Sequence, residues 1–90
     1  MSEPRDVKIK RLHMRSIRRG IKEMDLILTD FSVRHLNDLT DAELDLYDAL
    51  LAESDHDLYQ WVTGQSEAPE AYAPFWDSLV AGAEGLTRPN

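Results

Sequence analysis

Arg18-Arg19-Gly20-Ile21-Lys22-Glu23-Met24-Asp25-Leu26-Ile27-Leu28 sets a glycine between two helical patterns, with an arginine and a glutamate flanking the break. Toward the C-terminus, Ile21, Met24, Leu28, Phe31 and His35 recur at spacings of three and four. That is one continuous face of a second helix starting near Ile21, with Ile27 beside it. Toward the N-terminus, Ile9, Leu12 and Ser16 share a stripe, and Val7, Met14 and Ile17 fall at its margins or on a second contact face. This predicts a first helix from about Pro4 to Arg18. Ser2 is placed to cap it, and Pro4 suits its first turn because no N–H is needed there. Gly20 then ends that helix or forms the joint with the next.

Farther along, Thr40-Asp41-Ala42-Glu43 has the form of a capping box, with Leu39 and Leu44 at the positions of a hydrophobic staple. A third helix is expected to run to about Ala52, with Leu44, Tyr47 and Leu51 on one face and Leu46 and Leu50 next to it. Asp55 suits the cap of a short fourth helix, 58–63, which would insert Leu58, Trp61 and Val62 into the core before Gly64 terminates it. Residues 65–73 contain Pro69 and read as a loop or a single turn. Pro74 fits the first position of a last helix, 74–84, with apolar pairs Phe75–Leu79 and Trp76–Val80. Residues 85–90 are expected to fray. No stretch alternates apolar and polar residues with β-branched enrichment. The expected fold class is all-α: a compact bundle of about five short helices in one domain, 1–90, ordered from about 4 to 84.

The same stretch is where the charge changes sign. Residues 1–23 hold eight of the ten Lys+Arg and three of the seventeen Asp+Glu, for +5. Residues 24–90 carry −12, and the whole chain has a formal charge of −7. Such segregation points to partners more than to fold. With a pI near 4.7 the chain is a poor general nucleic-acid binder. The absence of cysteine removes disulfides, thiolate metal sites and cysteine nucleophiles, and it fits a reducing compartment. The charged start, with Glu3 and Asp6, shows no signal-peptide, presequence or membrane-span pattern. A chain of 90 residues buries roughly 60–65% of its unfolded surface, so its core is thin.

Residues with catalytic or metal-binding chemistry are not arranged for it. His13, His35 and His56 lack metal-ligand spacing, and no Ser, Thr or Lys has a setting that activates it. One glycine is not a phosphate loop. Asp55-His56-Asp57 reads as the carboxylate-rich start of a helix rather than an acid–base site. The block from Arg18 to Glu23 carries two readings of nearly equal weight. In one, Gly20 takes a positive φ or a tight junction, and Arg19 and Glu23 form a solvated pair adding ~0.3–0.5 kcal/mol. In the other, bare Gly20 admits a partner's backbone, and Arg19 and Glu23 are paired recognition groups.

These residues also resemble a family. Arg19-Gly20-Ile21-Lys22-Glu23 fits the RGxxE signature of the SdhE family, small flavinylation factors that serve succinate dehydrogenase. Met24–Leu28 followed by Phe31 is similar to the family's continuation. Leu39-Thr40-x-x-Glu43 resembles its capped third helix, and Asp55-His56-Asp57-Leu58-Tyr59-Gln60-Trp61-Val62 its DxDLxxW segment. The register holds over about residues 8–64. Ile17 stands at an often aromatic position and His56 where proline is common. Residues 65–90 match little.

The resemblance implies a cytoplasmic, non-enzymatic assembly factor, monomeric when free. Its implied partner is the flavoprotein subunit of succinate dehydrogenase, or of fumarate reductase. It would promote covalent attachment of FAD to a histidine of that subunit while holding no FAD tightly itself. Arg19, Gly20 and Glu23 are the implied contact site, with Arg18 and Asp25 beside them. Attachment needs an electrophilic flavin methyl carbon, a ring that accepts negative charge and a histidine within reach, which positioning and electrostatics can supply. Competing readings are an antitoxin-like or regulatory binding module and a small acid–base enzyme using Glu23. A nucleic-acid binder using Lys8, Lys10, Arg11, Arg15, Arg18 and Arg19 ranks low.

Overall fold

The computed structural model describes residues 3–87. Among them are five α-helices: α1 (Arg5–Ser16), α2 (Lys22–His35), α3 (Asp41–Leu51), α4 (Asp55–Val62) and α5 (Ala73–Thr87). Single 3-10 turns, Leu36–Asp38 and Glu70–Tyr72, lie between them, and no strand occurs among the described residues. The helix α2 is central, packing on α1 and α5 and reaching α4. Its apolar face supplies Met24, Ile27, Leu28 and Phe31 to a core that also takes Leu12, Leu44, Tyr47, Leu58, Phe75 and Leu79. Phe31 stacks on Tyr47 with ring centroids 5.3 Å apart, and His35 tilts over Phe31 at 5.0 Å.

Local chemistry sets most boundaries. Thr40 Oγ1 accepts from Glu43 N–H at 3.1 Å and Glu43 Oε1 from Thr40 N–H at 2.8 Å, so the capping box is complete. Leu39 and Leu44 are both buried beside it. Gly64 takes φ 81° at the end of α4, a left-handed conformation that costs glycine little. Four expectations need correction. The helix α4 begins at Asp55, not Leu58, and its cap is Ser54, whose hydroxyl accepts from Asp57 N–H. Trp61 is only half-buried, while Leu58 and Val62 fill the core. The helix α5 continues to Thr87, past its two glycines near residue 84. Lastly, α1 ends at Ser16, two residues early, because Ile17 is extended at φ −98°, ψ 161°. The expected Ser2 cap lies outside the described residues.

The basic end of the chain is largely neutralised within the fold. Arg5, Lys8, Arg11 and Arg15 recur along α1 at spacings of three and four, and Asp41, Asp45 and Asp48 do the same along α3. The helices run parallel, so these stripes meet as Arg5–Asp41 (2.8 Å), Lys8–Asp45, Arg11–Asp48 (3.1 Å) and Arg15–Asp48. Hydrogen bonds from Arg11 hold the Asp48 carboxyl below its usual range, even against partial burial. Part of the sign change along the sequence therefore serves helix pairing, while Lys10, Arg18 and Lys22 make no ion pair among the described residues. Exposed pairs add only ~0.2–1 kcal/mol each, but a ladder of them also fixes register.

Candidate functional site

Residues 17–21 are a non-helical, bent link between α1 and α2, extended at Ile17 and Ile21, and Arg19 sits at its middle. Each nitrogen of the Arg19 guanidinium donates to a different helix end. Nε bonds Asp55 Oδ1 at 2.7 Å, at the first residue of α4. One terminal nitrogen bonds the carbonyl of Arg15 at 2.9 Å, in the last turn of α1. The other bonds the carbonyl of Leu51 at 3.1 Å, the last residue of α3. Carbonyls at helix C-termini lack intrahelical donors and favour a cation, while a helix N-terminus favours a carboxylate. The side chains of Arg19 and Asp55 are 12% and 19% exposed, so this is a largely enclosed pair. The expected solvated pair between Arg19 and Glu23 does not form, because the spacing of four assumed a helix where the chain is non-helical and bent.

Gly20 completes the clamp. Its N–H donates to Asp55 Oδ2 at 2.7 Å, and a Cβ placed on it would lie 3.0 Å from that same oxygen. Gly20 has no positive φ. Glycine is needed here for close approach of a carboxylate that Arg19 already holds on its other oxygen. The left-handed residue is instead Arg18, at φ 58°, the only non-glycine with positive φ among the described residues. Its N–H donates to Asp25 Oδ1 at 3.0 Å, and Thr29 Oγ1 donates to the same oxygen at 3.2 Å. Asp25 thus braces a backbone conformation that costs a non-glycine residue on the order of 1 kcal/mol or more.

The remaining motif residue is placed differently. Glu23, in the first turn of α2, is exposed and makes no hydrogen bond or ion pair among the described residues. The exposed side chains of Arg18 and Lys22 are likewise unpaired there. The five residues singled out from the sequence are therefore brought together, but in two roles. Arg19, Gly20 and Asp25 fix the link, and Arg18 and Glu23 present free charges of opposite sign beside it. Asp55 belongs to this site and was read only as a helix cap. Its partner is 36 positions away, and no local spacing signals such a contact. The histidines stay apart: His13 bonds Ser32 Oγ at 2.6 Å and His56 faces Gln60.

A family model described as "Flavinator of succinate dehydrogenase" matches residues 10–81, which includes every residue of this clamp. The chain belongs to that family. The match continues beyond residue 64 and through most of α5, so the C-terminal part is family sequence too, contrary to expectation. This flavinator-family chain is 51% identical over 63 residues to "Succinate dehydrogenase assembly factor 2, mitochondrial" of Candida glabrata, covering 70% of this chain and 41% of the relative. The same-named protein of Meyerozyma guilliermondii is 49% identical over 61 residues, covering 68% and 45%. That of Mycosarcoma maydis is 43% identical over 72 residues, covering 80% and 30%. The chain thus spans less than half the length of these relatives. Their names describe assembly factors, so the family is not one of enzymes. Their names also overturn the expected cytoplasmic location and point to the mitochondrion. No helix among the described residues is long and apolar enough to cross a membrane.

Proposed function

We propose that this chain assists succinate dehydrogenase assembly by binding the flavoprotein subunit and promoting covalent attachment of FAD to it. The observation that carries the reading is the division within the family signature. Arg19 and Gly20 are fixed by Asp55, and Glu23 is held beside them with nothing to bond. A link that holds Arg18 in a left-handed conformation is costly unless the geometry it imposes is used. The link and the first turn of α2 present a guanidinium and a carboxylate, Arg18 and Glu23, to a partner surface, where each can meet an opposite charge. Arg19, Gly20 and Asp25 act by holding that arrangement.

FAD is handled on the partner subunit in this reading. The groove between α4 and α5 presents Asp77 and Glu84, where a flavin diphosphate requires cations, and in the groove between α2 and α5 Arg34 is already paired with Asp30. The contribution of this chain is to hold the subunit so that its histidine and the flavin methyl carbon stay within bonding distance.

The test uses cells lacking the native protein and reads covalent flavin fluorescence of the flavoprotein subunit on a denaturing gel. Glu23→Ala is expected to keep the parent's melting temperature while lowering the signal, and combining it with Arg18→Ala should lower it further. Normal flavin attachment with the double variant would remove both residues from the contact.

A further inference from the structure

We propose that the groove between α4 and α5 docks a lysine- or arginine-bearing segment of a partner polypeptide. This surface lies at the other end of α4 from the Arg19 clamp, roughly 10 Å along the helix at 1.5 Å per residue. It is independent of the function proposed above. The groove encloses about 500 Å³. Trp61 and Val62 line one wall, Trp76 and Val80 the other, and Asp77 and Glu84 stand on the α5 side. Both tryptophans of the chain are thus here, each half-buried, with part of an indole left open to solvent.

Charge selects the occupant. Residues 56–87 contain no lysine or arginine and five carboxylates: Asp57, Glu67, Glu70, Asp77 and Glu84. Asp77 and Glu84 are exposed and have no hydrogen bond or ion pair among the described residues. Four of the five Lys and Arg of α1, namely Arg5, Lys8, Arg11 and Arg15, are engaged in the ladder with α3. An apolar floor of indole and valine with a carboxylate rim matches a long cationic side chain. The aliphatic stem covers Val80 and Trp76, the cation meets the indole faces, and its charge ends on Asp77 or Glu84. A neutral apolar segment would leave both carboxylates partly desolvated and unpaired.

Because the only two tryptophans line the groove, intrinsic fluorescence reads its occupancy without a label. The probe is an amphipathic peptide of leucine, lysine and arginine, compared with the same peptide carrying glutamine at each basic position. The basic peptide should shift tryptophan emission saturably, with an affinity that falls as salt rises. Asp77→Asn combined with Glu84→Gln should weaken it about tenfold or more, as loss of two opposing charges does. Glu67→Gln combined with Glu70→Gln changes net charge equally outside the groove and should leave binding within about twofold, set only by long-range attraction. Equal binding of the glutamine peptide, or equal loss in the two double variants, would falsify the proposal. An emission shift on concentrating the chain alone would assign the groove to a second copy and overturn it as well.

Discussion

At Arg19 one side chain closes three helix ends, so its removal must be felt by the whole fold. Arg19→Ala leaves the Asp55 carboxylate largely enclosed without its cation and frees the carbonyls of Arg15 and Leu51. Breaking a buried pair costs ~3–5 kcal/mol, and the residual exposure of this one lowers the expectation to ~2–3 kcal/mol. Asp55→Ala should cost a similar amount. Arg19→Lys should not restore stability, because one ammonium cannot reach three separate acceptors in the geometry of a planar fork. Glu23→Ala should cost less than about 1 kcal/mol, the value of a carboxylate in a first helical turn. Urea midpoints at constant slope measure all four. An Arg19→Ala midpoint equal to the parent's would mean that the clamp is not held in solution. The contrast matters for function, since lost flavin attachment in Arg19→Ala would report folding as well as contact. The sequence marked Arg19, Gly20 and Glu23 as a unit through their motif. It did not show that Arg19 turns inward, because that choice is made by Asp55 on another helix.

Among the elements, α1 and α3 are joined by a ladder outside and one polar contact inside. Ser16, fully buried, bonds the carbonyl of Leu12 at 2.8 Å and the hydroxyl of Tyr47 at 2.6 Å. Burial pushes the Tyr47 hydroxyl well above its ordinary pKa, although the bond to Ser16 opposes this. Ser16→Ala strands the tyrosine hydroxyl in the core and should cost ~1–3 kcal/mol. Tyr47→Phe removes the same bond but leaves Ser16 on the Leu12 carbonyl, so it should cost less, ~0.5–1.5 kcal/mol. Thermal melts of the two variants check the order, and a larger loss for Tyr47→Phe would show that Ser16 depends on the tyrosine. The helices themselves were legible. The α2 face, the capping box at Thr40 and the stop at Gly64 are local, set within one or two turns. Where α1 ends was not, because Ile17 leaves the helix to let Arg19 reach α3 and α4. The ladder left a usable signal in the matching three-and-four spacings of Arg5, Lys8, Arg11, Arg15 and of Asp41, Asp45, Asp48. Reading it requires knowing that the two helices lie side by side.

Over the whole molecule, charge is divided between a paired layer, α1 against α3, and an unpaired acidic region over residues 56–87. The paired layer makes stability sensitive to acid. Asp48 is held charged below the ordinary range by the hydrogen bond from Arg11, and by the charges of Arg11, Arg15 and Lys8. Between its folded and unfolded pKa values the unfolded chain binds more protons, so stability falls as pH drops through that window, beginning near pH 4. Alkali acts with the opposite sign on Tyr72, whose hydroxyl donates to Glu53 Oε2 at 2.9 Å. Burial and that carboxylate push its pKa up to about 12. The unfolded tyrosine loses its proton first, near pH 10, so stability falls as pH rises from about 10 to 12. Stability measured by urea denaturation should therefore lie on a plateau between about pH 5 and 9 with a decline on each side. Asp48→Asn should lower the plateau and flatten the acid decline, because the group that takes up the proton is gone, while Tyr72→Phe should lessen only the alkaline one and leave the share set by buried Tyr47. If the parent and Asp48→Asn lost stability with the same slope below pH 4, the ladder between α1 and α3 would not be the acid-sensitive layer, and the unpaired carboxylates would have to be replaced in turn to find it.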